Sequence, residues 1–225
     1  MGGKQMGVKP RFQDRSEAGK ILAAHVAKAV DDPDIIVLAL PRGGVPVAFE
    51  VARSLRAPMD IYVVRKLGLP GEEELAIGAI ASGGVRVLNR ALIAHLQIPE
   101  ELIERVTAQQ SIELERREQL YRGTRGLIPL RGHTTILVDD GLATGATMLA
   151  AVRSVRAQQP RRIVVAVPVA SSSACEDIRE DVDQTVCVVT PEPFLAVGAW
   201  YDDFSQTSDS EVRSLLAQSR GEASL

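Results

Sequence analysis

The sequence predicts an α/β fold, a mostly parallel sheet with helices on both faces. Three observations carry that prediction. Short apolar runs such as residues 35–40 (IIVLAL) recur along the chain and suit strands buried on both faces. A turn follows most of them, and then a stretch with apolar residues at helical spacing. The repeated order strand–turn–helix calls for parallel strands with right-handed crossovers, which gather the strand C-termini on one edge, where ligands bind in such sheets.

The elements follow in order. Residues 16–30 read as an amphipathic helix leading into strand 35–40. The turn Pro41-Arg42-Gly43-Gly44 comes next, then helix 45–55, with Val47, Phe49, Val51 and Leu55 among its apolar positions. A second apolar run, 61–64, ends at Arg65-Lys66. Residues 67–87 break the alternation. They carry Gly68, Gly71, Gly78, Gly83 and Gly84 and the acids Glu72, Glu73 and Glu74, and read as a flexible loop, either a lid or an exposed hairpin. Residues 90–122 read as an inserted helical segment. Leu102, Val106, Ile112 and Leu120 give it a broken apolar face, and Glu101/Arg105 and Glu113/Arg117 stand four apart in the order that favours helix ion pairs. Such a segment covers one side of the sheet or forms a contact in a homo-oligomer, most simply a homodimer. Strand 135–138, helix 147–158, strand 163–167, helix 174–180 and strand 185–189 complete the alternation. Residues 190–225 form a tail with a helix at 209–216, and the whole chain, 1–225, reads as one domain.

Composition narrows the function. The 225 residues are 45% hydrophobic and 24% charged, with a net charge of -3, the profile of a folded globular chain. Nothing in that balance favours a nucleic-acid backbone. Cys175 and Cys187 form no CxxC motif and read as two reduced structural thiols. His25, His95 and His133 are widely spaced, so no metal site made of protein ligands is expected. The first ten residues lack the apolar core of a signal peptide, and no run approaches the roughly 20 residues of a membrane span. A cytoplasmic location is the expectation.

The chemistry concentrates in residues 136–147, ILVDDGLATGAT. An apolar strand delivers two adjacent carboxylates, Asp139 and Asp140, to its C-terminal end. A loop of Ala143, Thr144, Gly145, Ala146 and Thr147 then opens a helix. A helix N-terminus presents N–H groups and the positive end of the dipole, which suits a phosphate, and the threonines add hydroxyl donors. Carboxylates suit sugar hydroxyls, which donate to them. Phosphate and hydroxyl recognition side by side fits a sugar phosphate. The segment is neither a Walker A loop nor a dinucleotide fingerprint.

With its acids followed by a TG-containing loop, this segment resembles the type I phosphoribosyltransferases, whose fold is Rossmann-like. The resemblance runs from about Phe12 to the C-terminal region. It implies a reaction in which phosphoribosyl pyrophosphate (PRPP) gives its phosphoribosyl group to a nitrogen base and releases pyrophosphate. Asp139 and Asp140 would then meet the ribose hydroxyls, and Ala143, Thr144, Gly145, Ala146 and Thr147 the 5-phosphate. Arg42, Gly43 and Gly44 correspond to the pyrophosphate turn. Arg65 and Lys66 correspond to the pair before the mobile catalytic loop, with Lys66 reaching pyrophosphate. Arg42, Lys66, Asp139 and Asp140 are the candidate catalytic residues. Mg²⁺ would be held mainly through PRPP and water.

Ala143 stands where enzymes for 6-oxopurines typically carry an aspartate, while DDGLATGATM and RKLGLPGE are similar to adenine phosphoribosyltransferases. A purine-type acceptor is therefore expected. Over its whole length the chain is more similar to a group of bacterial phosphoribosyltransferases of unassigned substrate. The aromatic cluster at 197–204 marks Trp200 and Tyr201 as the rings against which the base would lie. A PRPP- or nucleotide-sensing regulator without turnover is the alternative reading.

Overall fold

The computed structural model describes residues 11–221. The N-terminal ten residues, read above as carrying no signal peptide, lie outside the described residues. The first helix, α1 (Arg15–Ala29), is capped by the Asp14 carboxylate, which accepts from the Glu17 N–H. It leads to β1 (Ile35–Ala39), α2 (Gly44–Leu55) and β2 (Met59–Ile61). After an excursion described below come β6 (Thr134–Val138), α5 (Ala146–Ala157), β7 (Arg162–Val169), α6 (Ser172–Arg179) and β8 (Gln184–Val189). These strands form a five-stranded parallel sheet of order β2-β1-β6-β7-β8. The expected fold class is the observed one.

Strand alternation divides the core between the two faces. Val37, Ala39, Ile136, Val138, Val164 and Ala166 pack with residues of α1 and α2 on one side. Ile36, Leu38, Leu137, Val165 and Val167 pack with Met148, Val152 and Ile178 from α5 and α6 on the other.

The excursion corrects two readings. Residues 67–87 are not an irregular loop. Together with residues 64–66 and Leu88 they build a three-stranded antiparallel sheet, β3 (Val64–Leu69), β4 (Glu72–Ala81) and β5 (Val85–Leu88). Ile77, Ala79, Ile80 and Ala81 of β4 are buried, a run that the neighbouring glycines obscure in the sequence. The apolar run 61–64 likewise belongs to two sheets. It ends β2, and after the buried Tyr62 and Val63 it starts β3.

The helical segment consists of α3 (Arg90–His95) and the long α4 (Glu100–Arg122), which buries Ile103, Val106, Leu114 and Tyr121. Arg122 at its end is buried too. Its guanidinium donates to Asp60 on β2 (3.2 Å), to Glu118 (2.8 Å) and to the Ile61 carbonyl (2.8 Å). This network ties α4 to the edge of the main sheet.

Cys175 on α6 and Cys187 on β8 are joined in a disulfide, which corrects the expectation of two reduced thiols. The crossover from β7 through α6 to β8 brings together two residues whose spacing of 12 gave no local sign of pairing. A short 3₁₀ turn (Val197–Trp200) and α7 (Asp209–Ser219) close the chain. Among the described residues no helix is long and apolar enough to cross a membrane.

Candidate active site

The C-terminal ends of β1 and β6 lie side by side in parallel register. Adjacency of these two ends places the turn 41–44 directly against Asp139 and Asp140. The turn begins with a cis peptide between Pro41 and Arg42. Gly43 has ordinary helical angles (φ -58°, ψ -36°), so its backbone does not demand glycine. Space does. A Cβ on Gly43 would stand 2.1 Å from Asp140 Oδ2. One on Gly44 would stand 2.7 Å from the Val138 carbonyl oxygen and 2.9 Å from Asp139 Cα. The two glycines serve close approach.

Asp140 is held from three sides. Arg15 at the start of α1 donates through Nε to Oδ2 at 2.9 Å, with the two side chains 11% and 15% exposed. The Tyr201 hydroxyl donates to the Asp140 carbonyl at 2.6 Å. The Asp140 N–H donates back to Asp139 Oδ1 at 2.9 Å. Burial, reinforced by the charge of Asp140, pushes the Asp139 carboxyl well above the usual range. Burial also raises Asp140, opposed by the Arg15 guanidinium. The pair therefore has one member fixed by a cation and another that resists a second negative charge.

The loop that follows is anchored to the next strand. Leu142 N–H donates to the Val169 carbonyl (2.9 Å), and Ser171 Oγ donates to the Ala143 carbonyl (2.8 Å). Gly145 caps α5 with φ +70°, a conformation that favours glycine. Ala143, Thr144, Ala146 and Thr147 are exposed, so the N-terminus of α5 is open to a ligand.

A cleft of about 450 Å³, within the size range of small-molecule sites, opens beside Asp140. Arg42 and Gly43 line it, with Arg15, Phe204 and the α4 residues Arg116, Arg117 and Tyr121. Arg42 Nη1 lies 3.5 Å from Asp209 Oδ1, which also accepts from the Tyr121 hydroxyl at 2.5 Å.

The structure thus brings Arg42, Gly43, Gly44, Asp139 and Asp140 together, with residues 143–147 adjoining. It does not bring Arg65 or Lys66 into the same cleft. Successive strand residues face opposite ways. Arg65 donates to Gln110 on α4 (3.0 Å), whereas Lys66 lines a separate cleft of about 220 Å³ with Ala146, Leu149 and Arg153 of α5.

Trp200 and Tyr201 are also corrected. They are 5% and 2% exposed and pack with Phe12, Ala18 and Val169, so neither ring is presented to a base. Tyr201 stacks between Phe12 and Phe204 at centroid distances of 5.5 and 5.0 Å and supports Asp140 from below. The aromatic exposed at the cleft is Phe204, whose ring carries the Arg15 guanidinium at 4.0 Å.

Two Mycobacterium tuberculosis proteins, from strains CDC 1551 and H37Rv and provisionally named phosphoribosyl transferases, are 46% identical over 205 residues. The match takes in 91% of this chain and 46% of theirs, so the chain spans about half the length of these curated relatives. The crystal structure of TT1426 from Thermus thermophilus superposes with a TM-score of 0.85 at 42% identity, covering 92% of this chain and 98% of that one. AQ2163 from Aquifex aeolicus, 13% identical with a TM-score of 0.51 over 82% of this chain and 78% of its own, shares the fold. The family description "Phosphoribosyl transferase domain" matches residues 13–200, and the chain belongs to that family.

Proposed function

We propose that the protein transfers the 5-phosphoribosyl group of PRPP to a ring nitrogen of a purine-type base and releases pyrophosphate. The observation that carries this reading is the contact between turn 41–44 and the acids Asp139 and Asp140 at one sheet edge. It sets a cation and turn N–H groups beside two hydroxyl-accepting carboxylates, with an open helix N-terminus next in sequence.

In this reading Asp139 and Asp140 accept from the ribose hydroxyls and fix the sugar. Ala143, Thr144, Gly145, Ala146 and Thr147 hold the 5-phosphate through backbone N–H groups and hydroxyls. The bond from ribose C1 to the pyrophosphate oxygen breaks, the bond from C1 to nitrogen forms, and the proton of the nitrogen passes to water or to the departing pyrophosphate. Negative charge grows on the departing pyrophosphate, so Arg42 stabilises the transition state more than the ground state. The donor set suits Mg²⁺. Asp139 and Asp140 offer hard oxygens but too few to complete an octahedral shell, leaving room for substrate oxygens and water. Bound there, Mg²⁺ would neutralise leaving-group charge.

Ala143 has no side chain that could take a proton from a 6-oxopurine, which favours adenine-like acceptors. Phe204 lines the cleft where Trp200 and Tyr201 do not, but its ring already carries Arg15 and packs against Tyr201, so no aromatic face is assigned to the base. Calorimetric titration of PRPP with Mg²⁺ tests the site. The double variant Asp139→Asn, Asp140→Asn should lose most of the affinity, and wild-type affinity in that variant would refute the assignment.

A further inference from the structure

The cleft beside Asp140 holds more positive charge than the pyrophosphate turn supplies. Arg42 is joined there by Arg116 and Arg117 from α4, while Lys66 faces a different cleft. Among the described residues Glu113 alone serves both α4 arginines. It accepts from Arg116 Nε and Nη2 at 2.7 and 3.0 Å and from Arg117 Nε at 2.9 Å. On the other wall Asp209 serves Arg42 and the Tyr121 hydroxyl. Three guanidiniums thus share two carboxylates, and a net positive charge is left over.

These pairs are also easy to exchange. Arg42, Arg116, Arg117, Glu113 and Asp209 all have side chains 31–61% exposed, and ion pairs this exposed contribute little. The helix beneath them is firmly seated. Ile103, Val106 and Leu114 are buried, and the Arg122–Asp60 pair anchors the end that carries the two arginines.

On the reading of the site given above, we infer that Arg116 and Arg117 of α4, with Arg42, receive the diphosphate end of PRPP, which displaces the resident carboxylate of Asp209. Helix α4 is thereby a substrate-recognition element and not only a cover for the sheet. Guanidinium forks match phosphate oxygens in pairs, and the diphosphate brings more negative charge to the cluster than Asp209 supplies.

The test compares three probes, PRPP, ribose 5-phosphate and inorganic pyrophosphate, each titrated with Mg²⁺ into wild type, R116Q/R117Q and D209N. Ribose 5-phosphate lacks the diphosphate and reports the rest of the site and the integrity of the fold. R116Q/R117Q should lose roughly ten- to a hundredfold in affinity for PRPP and pyrophosphate while keeping its affinity for ribose 5-phosphate. D209N should bind PRPP and pyrophosphate several-fold more tightly. Unchanged PRPP and pyrophosphate binding in R116Q/R117Q, or an equal loss for ribose 5-phosphate, would overturn the assignment to α4. Weaker pyrophosphate binding by D209N would overturn the displacement. If wild type binds PRPP and ribose 5-phosphate but the variants miss this pattern, only this inference falls. If wild type binds none of the three, the phosphoribosyl reading falls with it.

Discussion

Replacing Gly43 with alanine tests how the site is assembled. The residue already has helical angles, so alanine brings no backbone strain. The added Cβ would lie 2.1 Å from Asp140 Oδ2, far inside contact distance, and the carboxylate must swing away. That swing breaks its hydrogen bond from Arg15, made between side chains 11% and 15% exposed. A charge-assisted bond of this kind is worth about 1.5–3 kcal/mol. The expected stability loss is of that size, roughly 3–12 °C in Tm for a domain of this length. Displacing Asp140 should also cost PRPP roughly ten- to a hundredfold in affinity. Gly44→Ala should do more, because its Cβ meets the backbone of Val138 and Asp139, which cannot rotate aside. Gly126→Ala is the control, since nothing lies within 4 Å of its Cβ. Thermal unfolding and calorimetry on the three variants read both effects. Wild-type Tm and PRPP affinity in Gly43→Ala would refute the claim that close approach of turn 41–44 shapes the site.

Three further outcomes are expected. The Asp139 carboxyl is raised by burial and by Asp140, so the folded state keeps a proton that the unfolded chain releases near the ordinary value of 3.8. Stability should therefore fall as pH rises from that value through the raised one, and denaturant titrations across pH should show Asp139→Asn flattening the fall. Asp60→Asn removes one of the two carboxylates that pair with the buried Arg122, Glu118 remaining, and should cost about 1.5–3 kcal/mol in equilibrium unfolding. Lys66→Ala should weaken PRPP and ribose 5-phosphate alike in binding assays, because Lys66 faces Ala146 at the start of α5 and not the cleft of Arg42.

The main sheet was legible because its strands are buried on both faces, and runs such as 35–40 and 135–138 announce themselves without a partner. The acids and the phosphate-type loop were legible because they are contiguous. What escaped depends on contacts distant in sequence. Arg15 meets Asp140 across 125 residues, and Tyr121 meets Asp209 across 88, with no local signal for either. The small sheet was hidden by glycines, of which Gly78 is fixed by close approach, its Cβ position lying 2.4 Å from the Val87 carbonyl oxygen. Trp200 and Tyr201 misled because aromatic density marks packing as readily as stacking on a ligand. Their partner Phe12 lies at the opposite end of the chain. On α4, the Glu113/Arg117 spacing foretold the observed pair but not that Arg117 lines a cleft.

The central claim is turnover of PRPP at Asp139 and Asp140, and steady-state release of pyrophosphate tests it most directly. Wild-type protein with PRPP and Mg²⁺ would be assayed against adenine, hypoxanthine, guanine and orotate, beside the variant Asp139→Asn, Asp140→Asn. The account predicts base-dependent release by wild type, greatest with adenine, and loss of most of it in the variant. Binding of PRPP without release for any base would contradict it and point to a sensor, and release that survives in the variant would place the chemistry elsewhere.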